Sequence, residues 1–336
     1  MKHALSLAFC FSFLIPVFYL SAADSRSVLS LDYQGASAMM DVLQLIHDGA
    51  AAPEIGSRLN TALGLEAYRI SAEQYDVEKK GIDLQQFRTF MLSLADENVD
   101  TLGNRRLEFL KDYFLDAVKN PEKYRRALAA IGAISQEEVR GALDRALFWL
   151  PQGVSLNVKV LVLFDIGGGA WAYKAKNGQN YSAFSLPFLL DEKGEFDSSM
   201  FLLTLAHELH HLGIPVDAYY QSIGYDKLPP GSPLRLYSEY VVSMIKEGMA
   251  QKFCSNAPGK LTDKPDPQEE YAAVEEGRRT WDFFISEFDR IHLRAVRDME
   301  KIVAGEIRDV EGFWSDFSNY WTWRAGSVEG RQLAPL

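Results

Sequence analysis

The sequence predicts an α+β fold, mainly helical, in which a small β-sheet stands next to one motif-bearing helix and an N-terminal helical region precedes both. Three observations carry this expectation. Apolar residues recur at helical spacing through most of residues 30–153, the pattern changes to alternation at 154–164, and the helical period returns from residue 200 onward. At 336 residues with 47% hydrophobic content, the chain can bury one large core or two modest ones, and neither disorder nor a fibre is indicated.

Residues 1–23 read as a signal peptide. Met1-Lys2-His3 gives a short positive start, Ala4 to Leu20 is almost wholly apolar, and Ser21-Ala22-Ala23 offers small residues before Asp24. Pro16 and the Ser-Ala-Ala exit favour cleavage over a retained anchor, although the apolar run reaches the short end of a spanning helix. A lipoprotein signal is disfavoured because the bulky Phe9 precedes Cys10. The expected destination is the periplasm or the exterior, with no stable membrane span after cleavage. Cys10 leaves with the signal, so the mature chain keeps only Cys254 and forms no intramolecular disulfide. Cys254 reads as a small buried hydrophobe. The formal charge of -11 argues against a nucleic-acid partner, since phosphate binding needs a concentrated basic surface.

The N-terminal helical region spans residues 24–153. Met39, Met40, Val42, Leu43, Leu45 and Ile46 lay an apolar face along 36–46, and Asp48-Gly49 ends it. Similar patterns cover 84–94, 107–118 and 137–150, and no titratable cluster with ligand spacing accompanies them. The second region, residues 154–336, opens with a strand: Val154, Leu156, Val158, Val160 and Val162 alternate with polar residues before the run turns apolar through Phe164. Gly167-Gly168-Gly169 follows without the Lys-Ser/Thr or dinucleotide spacing of a phosphate loop, so these glycines suit a close backbone approach. Ala170 to Tyr173, a polar turn at 176–180 and an extended stretch at 181–190 complete a small sheet.

Asp197-Ser198-Ser199 supplies N-cap candidates for a helix over 200–212, which Gly213 and Pro215 end. After a Pro229-Pro230-Gly231 turn, Ser232-Pro233 starts another helix reaching about residue 253. Further helical patterns run over 271–288 and 291–307.

The helix over 200–212 carries the chemistry. His207 and His211 are four apart, so they project from one face, one turn above the other, where two imidazoles can grip one ion. Glu208, beside the first histidine, can reach a water on that ion without being a ligand. This is the arrangement of a zinc-dependent peptidase: the metal lowers the water's pKa and the glutamate takes its proton. The bare His-Glu-x-x-His pattern arises by chance in many chains. Here it stands on a capped helix whose Leu202, Leu205, Leu209 and Leu212 are expected to bury the opposite face. His210 points elsewhere on the helix and reads as a supporting or surface residue.

A catalytic zinc site takes three protein ligands and leaves one position open. Glu247 stands well along the next long helix, beside the small residues Gly248 and Ala250 that permit close packing. Its rival is Asp217, six residues after His211, where the metzincin pattern places a third ligand; that pattern wants Gly at 214, which is Ile here. Glu247 is favoured. Glu239 is a weaker option and reads as a salt-bridging residue.

His207-Glu208-Leu209-His210-His211 together with Glu247-Gly248-Met249-Ala250 resembles the gluzincins. Within them it looks like the zinc-dependent peptidase families of bacterial exported proteins still labelled as domains of unknown function, of the DUF2268 and DUF5700 kind. The resemblance implies a gluzincin-like catalytic core, Zn2+ held by His207, His211 and Glu247, Glu208 as general base, and a peptide or protein as substrate. It also implies an edge strand that receives the extended peptide by β-augmentation, for which Gly169-Ala170-Trp171 is the candidate. Gluzincins usually supply a Tyr or His to the oxyanion; Tyr237, Tyr240, Tyr271, His292 and Tyr320 are all open to that role. Two alternatives stay open: a catalytically inactive zinc- or peptide-binding relative, and a metzincin-like site with Asp217 as third ligand.

Overall fold

The computed structural model describes residues 27–77, 82–96, 99–191, 193–254 and 288–307. In chain order these form β1 (Val28–Asp32), α1 (Gln34–His47), α2 (Ala52–Leu63), α3 (Glu66–Val77), α4 (Leu84–Ser93), α5 (Arg105–Lys119), α6 (Pro121–Gly132) and α7 (Gln136–Phe148). There follow β2 (Asn157–Leu163), β3 (Ala170–Lys174), β4 (Asn180–Ser185), α8 (Ser198–Gly213), α9 (Val216–Ser222), α10 (Pro233–Cys254) and α11 (Phe288–Val303). The fold is α+β and mainly helical, as expected from the periodicity. Residues 1–23, expected to be a signal segment, lie outside the described residues together with Tyr271 and Tyr320, as do the side chains of Glu247, Cys254 and His292. Among the described residues no helix is long and apolar enough to cross a membrane.

Helix starts follow local chemistry. Asp83 and Ser135 each close a capping box, with Gln86 and Glu138 returning to the cap N–H. Asn104 and Asp197 accept from first-turn N–H groups of α5 and α8, and Pro121 and Pro233 open α6 and α10.

The four strands run in the order β1-β2-β4-β3, with β1, β2 and β4 parallel and β3 antiparallel at one edge. The region before residue 153 therefore contributes a strand to the sheet of the region after it. The core is likewise continuous across that point. Phe114 of α5 meets Phe87 and Phe90 edge-on at 5.7 and 5.5 Å, and Phe164, beyond β2, packs on Phe114 and Tyr124 at 5.5 and 5.6 Å. The extended stretch expected over 181–190 stops at Ser185. Pro187 lacks the N–H that a ladder needs, and Leu186–Leu189 form a 3-10 turn instead.

Alternation assigns the sheet's two faces. Phe184 packs on Phe201 of α8 at 4.9 Å, while the hydroxyl of Tyr181 donates to Glu66 of α3 at 2.7 Å. Across β3, Ala170 and Ala172 share the α8 face with their partners Phe184 and Ser182, and Trp171 and Tyr173 share the α3 face. Two alanines on that face let α8 lie close to the edge strand, against which it packs.

Lys159 of β2 ties this frame together, 2.6 Å from Glu66 and 2.8 Å from Asp32 of β1. Its hydrogen bond first, and that of Tyr181 second, hold the Glu66 carboxyl below its ordinary value of 4.5. A carboxyl depressed on folding contributes stability that is present above its unfolded pKa and is lost as pH falls through the folded one. The protein should therefore lose stability below pH 4.5 more steeply than Glu66→Gln does. Partial exposure limits the difference to about 1 kcal/mol or less. Denaturation midpoints collected across the acid range check this, and parallel curves for the two proteins would refute it.

Candidate metal centre

The helix that carries the motif is buried over most of its circumference. Asp197 caps it by accepting from the Met200 N–H at 2.9 Å, and Phe201, Leu205, Ala206 and Leu209 are buried. Leu202 and Leu212 are only half-buried, so the expected leucine face is centred on Leu205 and Leu209. α8 is held by α7, by α10 and by β3 and β4. At its end Gly213 has Leu150 so close that an added Cβ would stand 2.1 Å from the Leu150 Cδ1. Only glycine allows that contact.

His207 and His211 meet as expected from their spacing. Their Nε2 atoms are 2.9 Å apart, with ring centroids at 4.5 Å and planes perpendicular. Two tetrahedral zinc ligands with Zn–N near 2.0–2.1 Å stand about 3.3 Å apart, so this pair needs only a small opening to share one ion. The donor set fits as well. Both imidazoles present the nitrogen type zinc prefers, and Glu208, adjacent to His207 in sequence, is only 5% exposed.

His210 departs from the sequence reading. It is fully buried. Burial first, then the neighbouring His211 and His207, push its pKa down to about 4, with the Trp149 backbone pulling the other way. The ring is thus a neutral, buried packing element near the Trp149 backbone, just beyond α7.

Among the described residues no third His, Cys, Asp or Glu joins the histidine pair. Asp217 is exposed in the first turn of α9. Glu239 is engaged elsewhere: it accepts from the Tyr225 hydroxyl and lies 3.4 Å from the Arg235 Nε. Arg235 in turn stacks 4.4 Å over the Tyr225 ring. Glu239 is the salt-bridging residue its position suggested. Of the oxyanion candidates with described side chains, Tyr240 is buried and Tyr237 half-buried, both on α10.

The sequence reading passed over Asp165, just beyond β2, which is fully buried among four hydrogen-bond donors. Desolvation pushes its carboxyl up against the pull of those donors. The available signal was a lone acidic residue between Phe164 and Ile166, directly ahead of three glycines.

Fold and site together define a mainly helical α+β protein with a paired-imidazole face on a buried helix, beside an antiparallel edge strand. The family described as "Putative zinc dependent peptidase (DUF5700)" matches residues 59–321, and the chain belongs to that family. The match runs from within α2 past α11 and includes both histidines, Glu208 and Glu247. No curated protein and no solved structure matches the chain.

Proposed function

We propose that this chain is an exported zinc-dependent metallopeptidase in which His207, His211 and Glu247 hold the ion and Glu208 is the general base. The observation that carries the reading is the 2.9 Å approach of the His207 and His211 Nε2 atoms beside the buried Glu208. Glu247 belongs to α10, which packs against α8. Position 247 falls in the same helical spacing series as Leu236, Tyr240 and Ala250, three buried residues of that helix. The exposure of Asp217 and the engagement of Glu239 leave Glu247 the best-supported third ligand.

A bound zinc ion supplies Lewis-acid chemistry, lowering the pKa of water and polarising the scissile carbonyl. Glu208 takes the proton of the attacking water and passes it to the leaving amine nitrogen. The edge strand orients the substrate. Ser185 donates to the Gly169 carbonyl and Ala175 to the Gln179 carbonyl, which fixes odd-numbered positions as those bonded to β4. Ala170, Ala172 and Lys174 therefore turn their backbone N–H and C=O groups to the outer edge, where an extended peptide can pair with them.

The test is a metal analysis of protein purified without chelator, beside a peptide-cleavage assay. About one zinc per chain and chelator-sensitive cleavage are expected. Glu247→Ala should lose both zinc and activity, whereas Asp217→Ala should keep both. Zinc lost from the second variant and kept by the first would move the third ligand to Asp217. Zinc without cleavage of any peptide would reduce the chain to a metal-binding protein.

A further inference from the structure

Asp165 makes no ion pair among the described residues; its partners are four neutral donors. Oδ1 accepts from the Ser71 hydroxyl at 2.5 Å. Oδ2 accepts from the Tyr75 hydroxyl at 2.6 Å and from the Gly167 N–H and Trp171 Nε1 at 3.2 Å each. The indole and the backbone N–H can only donate, and three donors on one oxygen is a pattern that suits an ionised carboxylate. Such a centre tolerates little loss: with no cation nearby, each missing donor leaves buried charge short of a partner.

The donors belong to three separate pieces of the fold. Ser71 and Tyr75 are one turn apart on α3, Gly167 is in the glycine turn, and Trp171 is on β3. The turn lies so close to α3 that a Cβ on Gly167 would fall 1.8 Å from the Tyr75 ring. A second tether acts four residues further on from the turn: Glu73 of α3 accepts from the Tyr173 hydroxyl at 2.9 Å and from the Lys176 N–H at 2.8 Å. β3 is thus pinned to α3 through the side chains of one face, while the backbone groups of Ala170 and Ala172 look away from β4 along the outer edge.

We propose that Asp165 is a positioning residue for substrate binding: by tying Trp171 to α3 it sets the register and twist of β3, and with them the line of backbone groups that receives an extended peptide. The assignment rests on the peptidase reading above, because it gives the outer edge of β3 to the substrate. Asp165 itself touches no reacting atom. Its effect belongs in KM for substrates long enough to pair with β3.

The test uses the zinc-loaded full chain and three substitutions. Trp171→Phe cuts the tether and keeps an aromatic ring, Asp165→Asn keeps the shape and removes the charge, and Tyr75→Phe removes one of the two α3 donors while Ser71 keeps the other. For an extended octapeptide, the first two should raise KM about tenfold with kcat within about twofold, the pattern of lost uniform binding. Zinc content should be unchanged and amide exchange should quicken over residues 170–174. Tyr75→Phe, in which Ser71 still joins Asp165 to α3, should shift both readouts in the same direction by a smaller amount. Unchanged KM and exchange in Trp171→Phe overturn the proposal, as does a Tyr75→Phe effect as large as the others, which would make Asp165 a general core anchor. If Asp165→Asn does not fold, Trp171→Phe decides alone. A parent that cleaves no peptide defeats the peptidase reading and the substrate part of this proposal together; exchange over 170–174 needs no turnover and still decides the tether.

Discussion

Glu208→Gln is expected to keep its zinc and to lose about 10²–10⁴-fold in kcat, the usual contribution of a positioned general base. Glutamine matches glutamate in size, so the buried packing around position 208 has no reason to change. What it lacks is a lone pair basic enough to take a proton from water, and that need arises only in the transition state. KM should therefore move little while kcat and kcat/KM fall together. Metal content by elemental analysis and turnover of a fluorogenic peptide give the two numbers required. A variant that cleaves as fast as the parent would show that Glu208 is not the base. A variant that loses both zinc and activity would instead make Glu208 part of the metal's own coordination or of its support.

The meeting of His207 and His211 on one helix face was legible in the sequence because it is a local matter. Four-residue spacing puts His207 and His211 on one face of any helix, and Asp197, Gly213 and Pro215 mark where that helix begins and ends. Non-local features left weaker traces. β1 pairs Val28 with Asn157, a partner more than a hundred residues away, and a strand of five residues carries no turn chemistry to announce it. β4 was foreseen with an overlong end because the apolar run continues past Ser185, although Pro187 ends the ladder.

The site divides along the same line. In the sequence His210 reads as a supporting or surface residue, and only tertiary packing decides between those two; it is fully buried, and spacing within one helix says nothing of its neighbours. Glu239 resolved as foreseen, because an arginine four residues before it on α10 is an ordinary helical pairing. Asp165 illustrates the opposite case: its four donors come from positions 71, 75, 167 and 171, and only the fold brings the first two to the last two.

The largest structural effect near the centre is expected from Phe201→Ala, which should destabilise the protein by about 3–5 kcal/mol. Phe201 is fully buried in the first turn of α8, with its ring 4.9 Å from Phe184 and 5.9 Å from Phe196. Truncation removes an aromatic ring from between a strand and a helix that other contacts hold in place, so the gap cannot close fully and the cavity adds to the lost burial. The neighbouring Met200 is 43% exposed, and Met200→Ala should change stability by no more than about 0.5 kcal/mol. The contrast between adjacent positions separates loss of packing from loss of helix propensity, since alanine is the better helix former in both. His207 and His211 lie about 9 and 15 Å further along the axis at 1.5 Å per residue. There α8 is held independently by α7 and by Leu150, two residues beyond the end of α7, which packs on Gly213. The Phe201→Ala protein that remains folded should therefore still bind zinc in full. Urea midpoints with and without metal measure both halves of this expectation. A normal midpoint would remove Phe201 from the core, and a folded variant without zinc would make the hold of α8 on β4 a condition for the metal site.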